Sequence, residues 1–152
     1  MLFWYTYAVE EKHIELIARA VIVREGNILM CRPKGEHYFY FPGGHVEFDE
    51  DIATALKREL KEEIDADVAS ARFISVWENQ FMQEGAQKHE VNIVFETNLT
   101  SPDIKNMEDH IECEWVSLEE FKETRVLPVS LKEQVLEWME NGHVFFGGES
   151  VW

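Results

Sequence analysis

The stretch Gly43-Gly44-His45-Val46-Glu47-Phe48-Asp49-Glu50, continued by Asp51-Ile52-Ala53-Thr54-Ala55-Leu56-Lys57-Arg58-Glu59-Leu60-Lys61-Glu62-Glu63-Ile64-Asp65-Ala66, decides how this chain is read. Paired glycines after Phe41-Pro42 let the backbone turn sharply or approach a ligand closely. Positions 52 to 64 contain no Gly or Pro and are rich in Ala, Leu, Lys and Glu, which predicts a helix. Asp51 is placed to cap it, its carboxylate facing the unpaired amides of the first turn. At about 100° per residue, Ile52, Ala55, Leu56 and Leu60 share one face, and Lys57 and Lys61 point the opposite way.

The acids fall where a solvated charged face would not put them. Glu59 and Glu63 lie within roughly 20° of Ile52, inside the apolar stripe, with Glu62 on its flank. Burying carboxylates is costly unless they are paired or hold a cation. Residues three and four apart are neighbours on a helix, so up to three negative charges converge here. Oxygen ligands of this kind suit Mg²⁺ or Mn²⁺. The alternative is a salt-bridged helix in which Arg58 or a distant lysine neutralises the acids.

These residues resemble the signature of the Nudix hydrolases: Gly, five residues, Glu, seven residues, Arg-Glu-aliphatic, one residue, Glu-Glu, one residue, Gly, aliphatic. Gly44, Glu50, Arg58, Glu59, Leu60, Glu62 and Glu63 all match at the required spacing. For the six single-type positions, chance agreement is roughly one in ten million per starting point. Asp65 stands where the family has Gly, and Ala66 is a weak aliphatic. That position lies just past the helix end, so the departure bears on a cap and on stability, not on a metal ligand.

The resemblance implies an α+β fold, an α/β/α sandwich around a mixed sheet. It also implies metal-dependent hydrolysis of a nucleoside diphosphate linked to another moiety, by water attacking phosphorus. On that basis Glu59, Glu62 and Glu63 are expected to ligate Mg²⁺ or Mn²⁺, with the Gly43 or Gly44 carbonyl nearby and Glu59 also serving as base. Arg58 and Glu50 are read as an orienting pair behind the ligands. The family often adds an acid from a later loop or strand; Glu114 is the first candidate, Glu112 and Glu90 the alternatives. Substrate contacts are assigned to Arg19 and Arg32 for phosphate and to Trp77, Phe81 or Tyr40 for a base. His89 is read as structural. The stretch Asn79-Gln80-Phe81-Met82 lacks the proline of many ADP-ribose enzymes, and Phe81 is only a loose analogue of the Tyr in dinucleoside polyphosphate enzymes. The expected substrate is a small nucleotide or nucleotide-sugar. A Nudix-fold module that binds without turnover is the competing reading.

Composition agrees with one modest enzyme. At 152 residues the chain is read as a single domain, 45% hydrophobic. A formal net charge of −16 disfavours bulk nucleic-acid binding. Cys31 and Cys113 sit in strand-like runs and are expected as buried, reduced thiols. No basic leader and no apolar run of membrane-spanning length is visible, which gives a cytoplasmic expectation with no membrane partner.

Strands are expected over positions 13 to 23, with Ile14, Leu16, Ala18, Ala20 and Ile22 on one face, and over 28 to 31 after a turn at Glu25-Gly26-Asn27. Further strands are expected over 68 to 79, with Phe73, Ser75, Trp77 and Asn79 on one side, over 89 to 98, and over 111 to 116. Ser117-Leu118-Glu119-Glu120 and Ser130-Leu131-Lys132-Glu133 match capping boxes that start two helices. The aromatic residues 1 to 12 suit an edge strand, a packing arm or a homodimer contact, and the aromatic tail is expected to pack down.

Overall fold

The computed structural model describes residues 12 to 150, so all but the last residue of the aromatic N-terminal segment lies outside the described residues. β1 (Glu15–Val21) is inner, between β4 (Gly43–His45) and β6 (Ala86–Leu99), and runs parallel to the latter. A strand covered on both sides carries apolar residues on both. Accordingly Ile17 and Val21 are buried as well as Ala18, Ala20 and the following Ile22, whereas Ile14, expected inside, is 60% exposed. The hairpin expected after β1 is present, but its first arm is only β2 (Val23–Arg24). This pairs with β3 (Asn27–Pro33) across Glu25-Gly26, both at positive φ, in a second sheet. The chain thus bends from one sheet into the other at Ile22.

The larger sheet has the order β4-β1-β6-β5-β8 and the smaller the order β2-β3-β7, with β5 (Val68–Gln83), β7 (Ile111–Ser117) and β8 (Phe145–Ser150) completing them. α1 (Ile52–Ile64) covers one face, packing Ala55, Leu56, Leu60 and Ile64 on Ala18, Ala20, Ile22 and Leu29. α2 (Leu118–Glu123) and α3 (Val129–Asn141) cover the other, where Phe121, Leu131, Val135 and Trp138 meet Val21, Met30, Ile74 and Val94. The result is the expected mixed-sheet α/β/α sandwich.

Three local expectations are corrected. A register shift between Phe73 and Ser75 adds a residue opposite Phe95 and Val94, so Phe73 and Trp77 lie on opposite faces. Phe73 packs edge-on against Phe95, and Trp77 enters the core below α3. α3 begins one residue before Ser130, with Pro128 in the cap position and no side-chain cap, so Ser130 caps nothing. Cys31 and Cys113 are joined as a disulfide; they are direct cross-strand partners in the β3–β7 ladder, which brings their Cα atoms to 4.0 Å.

Candidate active site

Both ends of α1 are built from its own sequence. The Asp51 carboxylate accepts from the Thr54 N–H at 2.9 Å. At the other end Asp65 adopts a left-handed conformation (φ 53°), and the Asp65 and Ala66 N–H groups return to the Lys61 and Leu60 carbonyls at 3.1 and 3.3 Å. Between them the helix brings its acids up against β4. Glu63 is only 4% exposed, and Oε2 accepts from the Gly43 N–H at 3.1 Å. Burial pushes its carboxyl up to about 7; the Gly43 amide and the Arg19 charge oppose that, and the Glu59 and Glu108 charges add to it.

Glu59 fills the notch that Gly44 leaves open: a Cβ on Gly44 would lie 2.4 Å from the Glu59 carboxylate carbon. A side chain on the second glycine would therefore push the Glu59 carboxylate out of this seat. Glu62 is at the rim, its side chain 53% exposed.

Arg58 ties the acids together. It grips Glu50 with two prongs, Nη2 to Oε1 at 2.7 Å and Nε to Oε2 at 3.1 Å. Its Nη1 donates to Glu59 at 2.8 Å and to Glu62 at 3.2 Å, and Nη2 also donates to the His45 carbonyl at 2.9 Å. The guanidinium, with the Glu47 N–H, holds the Glu50 carboxyl below its usual range, and Glu50 in turn raises the Arg58 pKa. Arg19 works on the opposite side of β4. Its Nη1 donates to the Phe41 and Gly43 carbonyls, both at 3.1 Å, and the buried Asn92 accepts from Nε at 3.3 Å. Arg19 also lies over the Tyr40 ring, 5.4 Å from its centroid. The residue read as a phosphate contact is here a brace on the glycine backbone.

The remaining nominated residues scatter. Cys113 faces α1, so its neighbours Glu112 and Glu114 point to the other side of the sheet, where both pair with Arg32 at 3.1 and 3.5 Å. Glu114 therefore stands away from the α1 carboxylates, and Arg32, stacked over Phe39, is engaged in neutralising it. Glu90 pairs with Glu15 and Asn79 along the strands. Trp77, named for base stacking, is buried with its ring edge-on to Phe145, so it has no face to offer a ligand. Phe81 lies opposite Lys88 towards the hairpin tip, and His89 bonds Glu78 at 2.7 Å.

Sequence reasoning missed Glu108. The Lys105 and Met107 N–H groups bond the Ile64 and Glu63 carbonyls, laying the loop between β6 and β7 along the end of α1, and Glu108 reaches Glu63 electrostatically. No periodicity marks a loop acid; only the tertiary path of residues 100 to 110 does.

The chemistry of the donor set suits a hard divalent cation: Glu59, Glu62 and Glu63 offer carboxylate oxygens, one of them buried without a cationic side chain bonded to it among the described residues. In the arrangement described, Arg58 holds Glu59 and Glu62, and among the described residues no three His, Cys, Asp or Glu side chains stand grouped as ligands.

The family model for the NUDIX domain matches residues 15–139. Among solved structures the chain is similar to a MutT protein from Bacillus halodurans (16% identity, 90% of each chain covered, TM-score 0.76). It is also similar to a MutT NUDIX hydrolase from Burkholderia pseudomallei, at 26% identity over 71% of this chain and 86% of that one, with TM-score 0.62. An ADP-ribose pyrophosphatase from Streptococcus suis shares 18% identity over 89% of this chain and 98% of that one, with TM-score 0.62. The first and third of these likenesses concern the fold alone.

Proposed function

The chain belongs to the Nudix family, and on that premise we propose that it is a divalent-cation-dependent hydrolase of nucleotides, cleaving the pyrophosphate bond of a nucleoside diphosphate linked to another moiety. The observation that carries this reading is the Glu63 carboxylate, 4% exposed inside an apolar helix face and bonded, among the described residues, only to a backbone amide. A lone buried carboxylate of that kind is destabilising unless a cation is to join it.

Glu59, Glu62 and Glu63 would hold Mg²⁺ or Mn²⁺; the Gly43 carbonyl, expected beside them, accepts from Arg19 instead, which leaves Gly44 as the nearer backbone. A cation bound there would neutralise phosphate oxygens and acidify the attacking water. Glu59, seated against Gly44, would accept the water's proton. The Glu50–Arg58 fork orients Glu59 and Glu62, and Arg19 with Asn92 steadies the Gly43 peptide that bonds Glu63. Glu108 is a better supplementary acid than Glu114, because its loop is bonded along the end of α1 whereas Glu114 pairs with Arg32 on the other side of the sheet.

The test is release of phosphate from a nucleotide panel with and without Mg²⁺ or Mn²⁺, adding phosphatase where products stay esterified. The panel includes ADP-ribose, ADP-glucose, diadenosine polyphosphates and nucleoside di- and triphosphates. Metal-dependent turnover that falls at least about tenfold in Glu62→Gln, with the fold intact, is the expected result. Metal binding without turnover of any member would instead favour a binding module.

A further inference from the structure

The loop that carries Glu50 has a second side, which the carboxylate site does not use. With the start of β1 it encloses a groove of about 760 Å³, within the range of roughly 300–1,000 Å³ found for small-molecule sites. Its floor is apolar: Leu16 and Val46 line it, joined by the Val46 N–H to Leu16 carbonyl bond at 2.9 Å. Phe48 stands on its rim fully exposed. A ring wholly in water adds nothing to the core; what it offers is a face for another planar ring.

Of the polar lining, His13 and His45 lie towards β1 and β4, and the other four side chains, Glu15, Glu47, Asp49 and Glu50, are carboxylates. Glu15 is engaged by Lys88 at 2.8 Å and by His45 at 3.3 Å, and Glu50 is gripped by Arg58. The Glu47 and Asp49 carboxylates have no hydrogen-bond or ion-pair partner among the described residues. Such a wall repels phosphate and accepts N–H donors. The phosphate chain of a bound nucleotide would then run the other way, towards α1. One guanidinium spans that distance, since Arg58 bonds both the His45 carbonyl of the groove loop and the Glu59 carboxylate.

We propose that this groove is a base subsite, in which a nucleobase bearing an exocyclic amino group stacks on Phe48 and donates that amino group to Glu47. The assignment rests on the hydrolase reading only for the direction of the phosphate chain. Cytosine and uracil serve as probes, because they differ in presenting a 4-amino donor or a carbonyl acceptor at the same edge.

The experiment has a binding arm and a kinetic arm. Metal-free protein is titrated with cytidine and with uridine as free nucleosides, followed by amide chemical shifts. Cytidine should shift residues 14 to 16 and 45 to 50 at a concentration about tenfold below that needed for uridine. Glu47→Ala should abolish that difference. Phe48→Ala should weaken both nucleosides about tenfold, and Phe48→Tyr should restore them. In the kinetic arm, Phe48→Ala should raise KM for CTP about tenfold with kcat within twofold. Shifts confined to other parts of the chain, or none, overturn the subsite. Turnover with KM unchanged in Phe48→Ala overturns it while leaving the hydrolase reading standing. Cytidine binding in the groove with no turnover of any nucleotide leaves the subsite and removes the hydrolase reading.

Discussion

Glu63 carries the largest electrostatic cost in the site, and its cost has a pH signature. Its ordinary value is 4.5, and burial raises it to about 7 in the folded chain. Well below 4.5 the carboxyl is protonated in both folded and unfolded states, and no charge is buried. Above about 7 it is ionised in both, and the folded state bears the whole desolvation cost. Stability without metal should therefore fall as pH rises between those values, by about 3 kcal/mol from this group. Glu63→Gln keeps an acceptor for the Gly43 amide but no charge. In denaturant titrations with EDTA, the variant should match the parent near pH 4.5 and exceed it at pH 8. Equal pH slopes for the two proteins would show that Glu63 is not the group responsible. The same residue scale explains Gly44: Ala there would place a methyl within the Glu59 carboxylate, so Gly44→Ala should lose turnover because Glu59 is displaced.

The elements differ in how far they carry their own instructions. α1 has its cap, apolar stripe and stop within residues 51 to 66, so its bounds were legible without the fold. Its stop is imperfect, because Asp65 holds a left-handed conformation that glycine adopts without strain. Asp65→Gly should raise stability by about 0.5–1 kcal/mol, less a few tenths for the exposed Lys61–Asp65 pair at 2.8 Å. Thermal unfolding with unchanged turnover would check both parts. β5 was less legible, since the bulge beside Phe73 reverses every side chain on one side of it. The start of α3 was also misread. Ser130 has the composition of a capping box but lies inside the helix, and its N–H meets the Glu149 carboxylate of β8 at 3.4 Å.

At the scale of the whole molecule, the disulfide closes a loop with a sequence separation of 82 and ties β3 to β7 beneath α1. Loop-closure entropy makes such a link worth about 4 kcal/mol. Equilibrium unfolding with and without a strong thiol reductant should differ by a cost of that order, and Cys31→Ala should remove the difference. The net charge of −16 acts over the same scale: in low salt it would oppose approach of an anionic nucleotide, and cations bound at the α1 acids would reverse that locally. Among the described residues no helix is long and apolar enough to cross a membrane.

Local order along the chain was enough to determine α1, the placement of its acids, the spacing of Gly44, Glu50, Arg58, Glu59, Glu62 and Glu63, and hence the family. Each of those is written in the local order of residues 43 to 66, as periodicity, caps and fixed spacing. Only the tertiary structure decided what lies opposite them. Cys31 meets Cys113 because antiparallel register aligns them, and Glu108 reaches Glu63 because a loop distant in sequence is bonded along the helix end. Arg19 braces the glycine backbone because β4 pairs beside it, and Trp77 enters the core through one inserted residue. Contacts between distant segments are set by register and packing, which no local pattern records.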